Sequence, residues 1–234
     1  MVGSLVTFEM MPVPAGTVQR PGAAPLVVGP FWMMKTEVTW DLYDIFAFEL
    51  DKPADTTQAG HAADAVSRPS RPYVLPGDSF GHAGYPALGM SLQAAREFAR
   101  WLSARTGRLY RVPTIGEWQH ACRLGASQTS GHGGLSARAW FAANADDKTN
   151  PVASRAADAL GLHDLLGNVA EWTVTGADSG VAGGSFTADS AAVSCDAWQA
   201  QTRAWNVSDP QLPKSRWWLT DAFFVGLRLV VADS

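Results

Sequence analysis

Closely spaced cysteines are missing from this chain. Its 234 residues include two, Cys122 and Cys195. So few sulfurs give no disulfide framework to read. Free cysteine packs as a small apolar residue, so the expectation is two unpaired, mostly buried thiols. One long-range disulfide is chemically possible, but spacing does not reveal it. Long apolar runs are also missing. None approaches the roughly 20 residues of a spanning helix, so no membrane span is expected. Basic runs are missing too: 18 Lys and Arg are scattered through a chain of net charge −4. That excludes a nucleic-acid or anionic-membrane partner. The N-terminus has no basic segment followed by an apolar one. The chain is then either cytoplasmic or the remainder of a precursor whose signal was removed. The strand-like sequence from the first residues favours the second, a periplasmic or secreted protein. There is no phosphate loop, no H-E-x-x-H, no G-x-S-x-G and no internal repeat.

What remains is a globular composition, 47% apolar and 17% charged. Ten tryptophans are present, and Trp172, Trp198, Trp205, Trp217 and Trp218 all follow Glu171. Residues 8–18 read as a strand with a turn at Pro14-Ala15-Gly16, 21–25 as loop, and 31–38 as a second strand. At Thr39, a candidate N-cap, the period changes. Leu42, Tyr43, Phe46 and Ala47 fall on one helical face, and this helix should end near Leu50. Residues 51–88 are rich in Pro and Gly and read as an ordered insertion wrapped over the surface.

The clearest helix is 91–105. Ser91 caps it, Ala95, Phe98, Ala99 and Leu102 make its apolar stripe, and Gly107 stands at C′. A short strand, 109–112, follows. Thr114 and Glu117 then form a capping box. The helix they open buries Trp118, Ala121 and Cys122 and should stop at Gly125. Residues 127–134 read as loop. Residues 183–186 and 225–230 read as strands.

Several segments now match one family in order. Tyr110-Arg111-Val112-Pro113-Thr114-Ile115-Gly116-Glu117-Trp118 resembles "Y-R-L-P-T-E-A-E-W". Gly161-Leu162-His163-Asp164-Leu165-Leu166-Gly167-Asn168-Val169-Ala170-Glu171-Trp172 resembles "G-L-Y-D-M-x-G-N-V-W-E-W". Glu37-Val38-Thr39 before a helix, Gly183-Gly184-Ser185-Phe186 and Gly226-Leu227-Arg228 match further family signatures. Together they resemble the formylglycine-generating-enzyme, or sulfatase-modifying-factor, family. The resemblance implies a single α+β domain over 1–234, a variant of the C-type lectin fold. It would be poor in regular structure, with a small twisted antiparallel sheet and two to three helices.

Members with the namesake activity bind copper through a cysteine pair shortly after Gly-Gly-Ser and use O₂ to make formylglycine. Here Cys195 stands alone in that segment. A soft two-thiolate site is not available, so copper is not expected. The five histidines show no H-x-x-x-H spacing, which leaves the facial iron site of other relatives unsupported. The resemblance also implies calcium at Asp164, Gly167, Val169 and Glu171. Two carboxylates and two turn carbonyls suit a hard cation. The alternative is that Glu171 pairs with an arginine and Asn168 only makes the turn. Asn144 and Asp146 are candidates for a second calcium site, or else 146–147 is a solvated turn. Arg228 reads as structural, bonding carbonyls or an acid.

In this fold, 196–221 would line the groove that receives substrate. Trp198, Arg203, Trp205, Arg216, Trp217 and Trp218 are the candidates for holding a peptide, glycan or protein partner. The alternative is that these tryptophans pack the core. The expectation is a non-catalytic or accessory family member. The competing expectation is an O₂-dependent oxidoreductase acting through another residue set, with Cys195, Asp196, Arg203 and Asp209 as first candidates.

Overall fold

A computed structural model describes residues 6–20, 23–51, 68–69, 79–128, 134–176 and 178–233. Most of the 51–88 insertion, with His61, and the 129–133 stretch, with His132, lie outside the described residues.

One four-stranded sheet runs β1 (Met10–Val13), β4 (Phe31–Met34), β10 (Val230–Ala232), β5 (Tyr110–Arg111), antiparallel throughout. A ribbon joins β2 (Gly16–Arg20) to β3 (Ala23–Val28). The expected loop at 21–25 is therefore partly strand. Pro25 sits inside β3, where a strand with a free edge tolerates the missing N–H. A second four-stranded sheet runs β8 (Trp198–Ala200), β7 (Asp178–Ala182), β6 (Ala170–Thr175), β9 (Val225–Gly226). Its β6–β9 pair is parallel, so the sheets are not antiparallel throughout. With three α-helices among the described residues, the fold is α+β.

Helix α1 is Trp40–Ala47, shorter than expected, and Thr39 caps it without a side-chain bond. Arg68 reaches back from the insertion to Asp51 at its end (2.6 Å). Helix α2, Leu92–Thr106, matches its sequence signals. Ser91 accepts from the Ala94 amide (3.1 Å), and Gly107 is left-handed at φ 73°. Helix α3, Ile115–Gln128, opens on the expected capping box, Glu117 N–H to Thr114 Oγ1 (3.2 Å) and Thr114 N–H to Glu117 Oε2 (2.8 Å). It does not stop at Gly125. That glycine instead lets the Asp158 carboxylate approach the helix where a Cβ would collide.

Residues 183–186 are not a strand. Gly183 and Gly184 take φ of 92° and 75°, which turns the chain sharply after β7. Nor is 225–230 one strand. The chain pairs with β6, leaves that sheet, and joins β4 as β10. Leu227, Arg228 and Leu229 make the crossing, all fully buried. A largely apolar core surrounds it, with Tyr43, Phe98, Trp172 and Leu227 among its members.

Candidate functional site

Sheet switching aims Arg228 into the interior. Its guanidinium donates to Glu171 Oε1 (2.9 Å), the Met34 carbonyl (2.8 Å) and the His163 carbonyl (2.6 Å). Arg228 is structural, as its place in the sequence suggests. Trp118 Nε1 donates to the other Glu171 oxygen (2.7 Å). Glu37 accepts from Asn168 Nδ2 (2.8 Å) and the Val169 amide (3.1 Å). Asp164, at φ 57°, accepts from the Ala153 amide through Oδ2 (2.7 Å). Its Oδ1 is buried without a partner.

Three buried carboxylates thus surround one guanidinium. Burial pushes Glu37 well above the usual carboxylate range, and the charges of Asp164 and Glu171 add to it. Burial also raises Asp164 and Glu171. Burial works against the Arg228 charge, but Glu171, Glu37 and Asp164 outweigh it and keep it protonated. Glu37 and Trp118 carry no role in the sequence reading. Glu37-Val38-Thr39 lies far along the chain from the Gly167 turn, and only the fold joins them.

Among the described residues, no three His, Cys, Asp or Glu side chains converge as metal ligands. The calcium expectation draws instead on two carboxylates and two carbonyls. The orphaned Asp164 oxygen and the gathering of three buried carboxyl groups about one guanidinium fit a hard cation. Glu171 contributes less than expected, since each of its oxygens already receives a donor. The second calcium candidate, Asn144 with Asp146, has its side chains engaged or exposed. Asn144 spends its oxygen on the Phe141 amide (2.8 Å) and its nitrogen on the Ala139 carbonyl (3.1 Å), while Asp146 is a solvated turn residue at φ 59°.

The two thiols are not free. Cys122 and Cys195 form a disulfide with Cα atoms 5.6 Å apart. It pins α3 to the segment after Gly184. The neighbouring residues repeat the link, because Arg123 pairs with Asp196. Two cysteines, each followed by a charge of opposite sign, was the available signal in the sequence.

The four weak catalytic candidates do not form one reaction centre. Cys195 is in the disulfide, and Asp196 is exposed and paired with Arg123. Arg203 is exposed on a 3₁₀ turn. Asp209 organises a loop, accepting from the Gln211 (2.9 Å) and Ser215 (2.5 Å) amides.

An open groove lined by four tryptophans is also corrected. Trp205, Trp217 and Trp218 are buried, and Trp198 alone of the four is exposed, at 37%. Trp205 packs on Trp172 and Phe224, and Trp218 on Tyr43. Strand alternation does not separate Trp217 from Trp218. They lie in a bend where Ser215 Oγ accepts from both amides (3.2 Å each). Exposed Arg216 stands over the Trp217 ring at 5.9 Å. A cavity of about 540 Å³ opens beside Trp198 instead. It is lined by the segment after Gly184, including Ser185, Thr187, Ala188, Ala192 and Ser194, with Phe224.

The profile of the sulfatase-modifying factor enzyme 1-like domain matches residues 6–230. The chain belongs to the sulfatase-modifying factor family. It is 34% identical over 119 residues to the formylglycine-generating enzyme of Mycobacterium tuberculosis, a match covering 44% of this family member and 38% of that protein. The chain thus spans well under half of that relative's length. Treponema denticola variable protein 1 superposes with a TM-score of 0.68 at 18% identity, covering 100% of this chain and 98% of that one. CarF superposes with a TM-score of 0.67 at 20% identity, covering 98% and 100%. At such identities the two structures show a shared fold. Among the described residues of this family member, no helix is long and apolar enough to cross a membrane.

Proposed function

We propose that this chain is a non-catalytic or accessory member of its family, using the cavity beside Trp198 to hold a peptide, glycan or protein partner. One observation carries the reading. The segment after Gly183-Gly184, where relatives with the namesake activity keep two thiols, has one sulfur, and that sulfur is bonded to Cys122. The cavity wall offers methyls, hydroxyls, an amide, one indole and one phenyl ring, with Asp196 as its one carboxylate. These suit binding by shape and hydrogen bonds. With the Cys195 thiol consumed, Asp196 salt-bridged and Asp209 tied into its loop, no observation favours the oxidoreductase reading. The test is oxygen uptake by copper-loaded protein with a cysteine-containing sulfatase peptide. No uptake above the peptide-free control is expected, and turnover would overturn the proposal. In parallel, Ala188→Trp should fill the cavity and remove binding from peptide and glycan arrays, with a cooperative thermal transition showing that the variant is folded.

We also propose that calcium stabilises the domain through Asp164, with the Gly167 and Val169 carbonyls and Glu171 completing the donor set. The support is the orphaned Oδ1 and the three buried carboxyl groups gathered about one arginine. Calcium at a hundred times its Kd would then add about 2.7 kcal/mol. For a chain of this size that raises the melting temperature by roughly 5–10 °C. Asp164→Gly accommodates the φ of 57° and removes the oxygen, so its midpoint should ignore calcium and chelator alike. An unresponsive parent protein would refute the calcium reading.

A further inference from the structure

Strand β8 ends its sheet, and all three of its residues are exposed. Its register on β7 decides which backbone groups are spent. Val181 stands opposite Gln199, the Gln201 amide donates to the Ser179 carbonyl (3.1 Å), and the Gly183 amide donates to the Ala197 carbonyl (3.2 Å). Residues 197, 199 and 201 therefore face β7. In an antiparallel pair the intervening residues point their N–H and C=O the other way. Those are Trp198 and Ala200, and no described residue bonds their backbone groups.

The same strand forms the rim of the cavity, to which both Trp198 and Gln199 contribute. Trp198 itself is fixed. Its Nε1 donates to Thr173 Oγ1 (3.1 Å), and its ring lies so close over Gly180 that a Cβ there would stand 2.7 Å from it. The rim is thus a firm, open strand edge beside an empty wall of small side chains.

We propose that β8 captures an extended peptide by strand addition, with one apolar side chain of that peptide seated in the cavity. This deepens the binding reading given above and rests on it. The Trp198 and Ala200 backbone groups select an extended backbone, because a main chain at strand spacing offers matching donors and acceptors. The cavity selects an uncharged side chain. Ala188, Ala192 and Phe224 supply apolar surface there, and Asp196, the one charge on its wall, already has Arg123. A second copy of β8 is a poorer occupant. Its Trp198 is docked on Thr173, Gln199 is polar, and the Ala200 methyl is too small to fill the cavity.

The probe is an acetylated, amidated peptide of sequence Lys-Thr-Val-Leu-Thr-Lys, titrated into the full chain and followed by amide resonances. At saturation, hydrogen exchange at the Trp198 and Ala200 amides should slow, while Gln199, already paired to β7, stays as it was. Ala200→Pro removes one outward N–H and leaves the β7 ladder intact, since proline is accepted where a strand N–H faces solvent. Its affinity for the probe should fall roughly tenfold, with an unchanged melting temperature. N-methylation of the probe should weaken binding at alternate residues only.

If the probe binds without protecting Trp198 and Ala200, and Ala200→Pro binds as well as the parent, strand addition is wrong while the cavity reading survives. If the probe does not bind at all, strand addition is equally overturned. The cavity reading then falls only if the arrays also show nothing that Ala188→Trp removes. A homodimer that Ala200→Pro dissociates, with no peptide bound, would make a second copy the occupant and overturn the proposal.

Discussion

Arg228→Leu is expected to cost about 3–5 kcal/mol, the penalty for stranding a buried charge that has lost its partner. Domains are stable by only about 5–15 kcal/mol, so much of the protein should be unfolded or insoluble. The size of the effect follows from what the guanidinium serves. It neutralises Glu171 directly, offsets Glu37 and Asp164, and satisfies the carbonyls of Met34 and His163. Arg228→Lys should rescue little, because one ammonium cannot reproduce a planar fork serving three acceptors in different directions. Arg228→Leu with Glu171→Leu should recover part of the loss, since an apolar pair of similar volume removes the uncompensated charge. Urea unfolding of the three variants measures this. A loss under about 1 kcal/mol for Arg228→Leu, the range of exposed ion pairs, would mean that the buried cluster does not hold the sheets together.

Replacing both cysteines by alanine is expected to cost about 4 kcal/mol, from the chain entropy released when a loop of 73 residues is no longer closed. The melting temperature should drop by roughly 10 °C in differential scanning calorimetry. The Arg123–Asp196 pair will not compensate, because Asp196 is largely solvated and such pairs contribute little. A change of under about 1 kcal/mol would mean that the unfolded chain is already restrained, or that the bond strains the native state. Disulfides persist in oxidising compartments, so the periplasmic or secreted expectation requires this bond to be formed in the cell. Blocking free thiols at cell lysis and counting them by mass would test that expectation.

The fold was legible where local chemistry decides it. Ser91 and Gly107 frame α2, and the Thr114–Glu117 box opens α3, because caps act over three or four residues. Local signals misled where distant contacts intervene. Gly125 reads as a stop but admits Asp158, and the glycines at 183–184 read as strand but form a left-handed turn. The Gly167 turn was readable from residue type, and Asp164 was named only through the family resemblance. Glu37 was not, since its partners lie more than a hundred residues away. The disulfide was hidden too, because its two cysteines lie 73 residues apart and only the fold joins them. Trp217 and Trp218 were assigned to a binding face through the family resemblance, whereas the bend at Ser215 buries both.

The wall after Gly184 divides into anchors and free positions. Gly183 and Gly184 admit no larger residue beside the Leu165 and Ala192 carbonyls, and Cys195 is bonded in place. Between them Thr187, Ala191 and Ala192 present exposed side chains that carry no load in the core. Such positions can be exchanged wholesale while the frame stays the same. Under the binding proposal, changing the occupant of the cavity would then need only a handful of substitutions on one short arc, with folding left untouched.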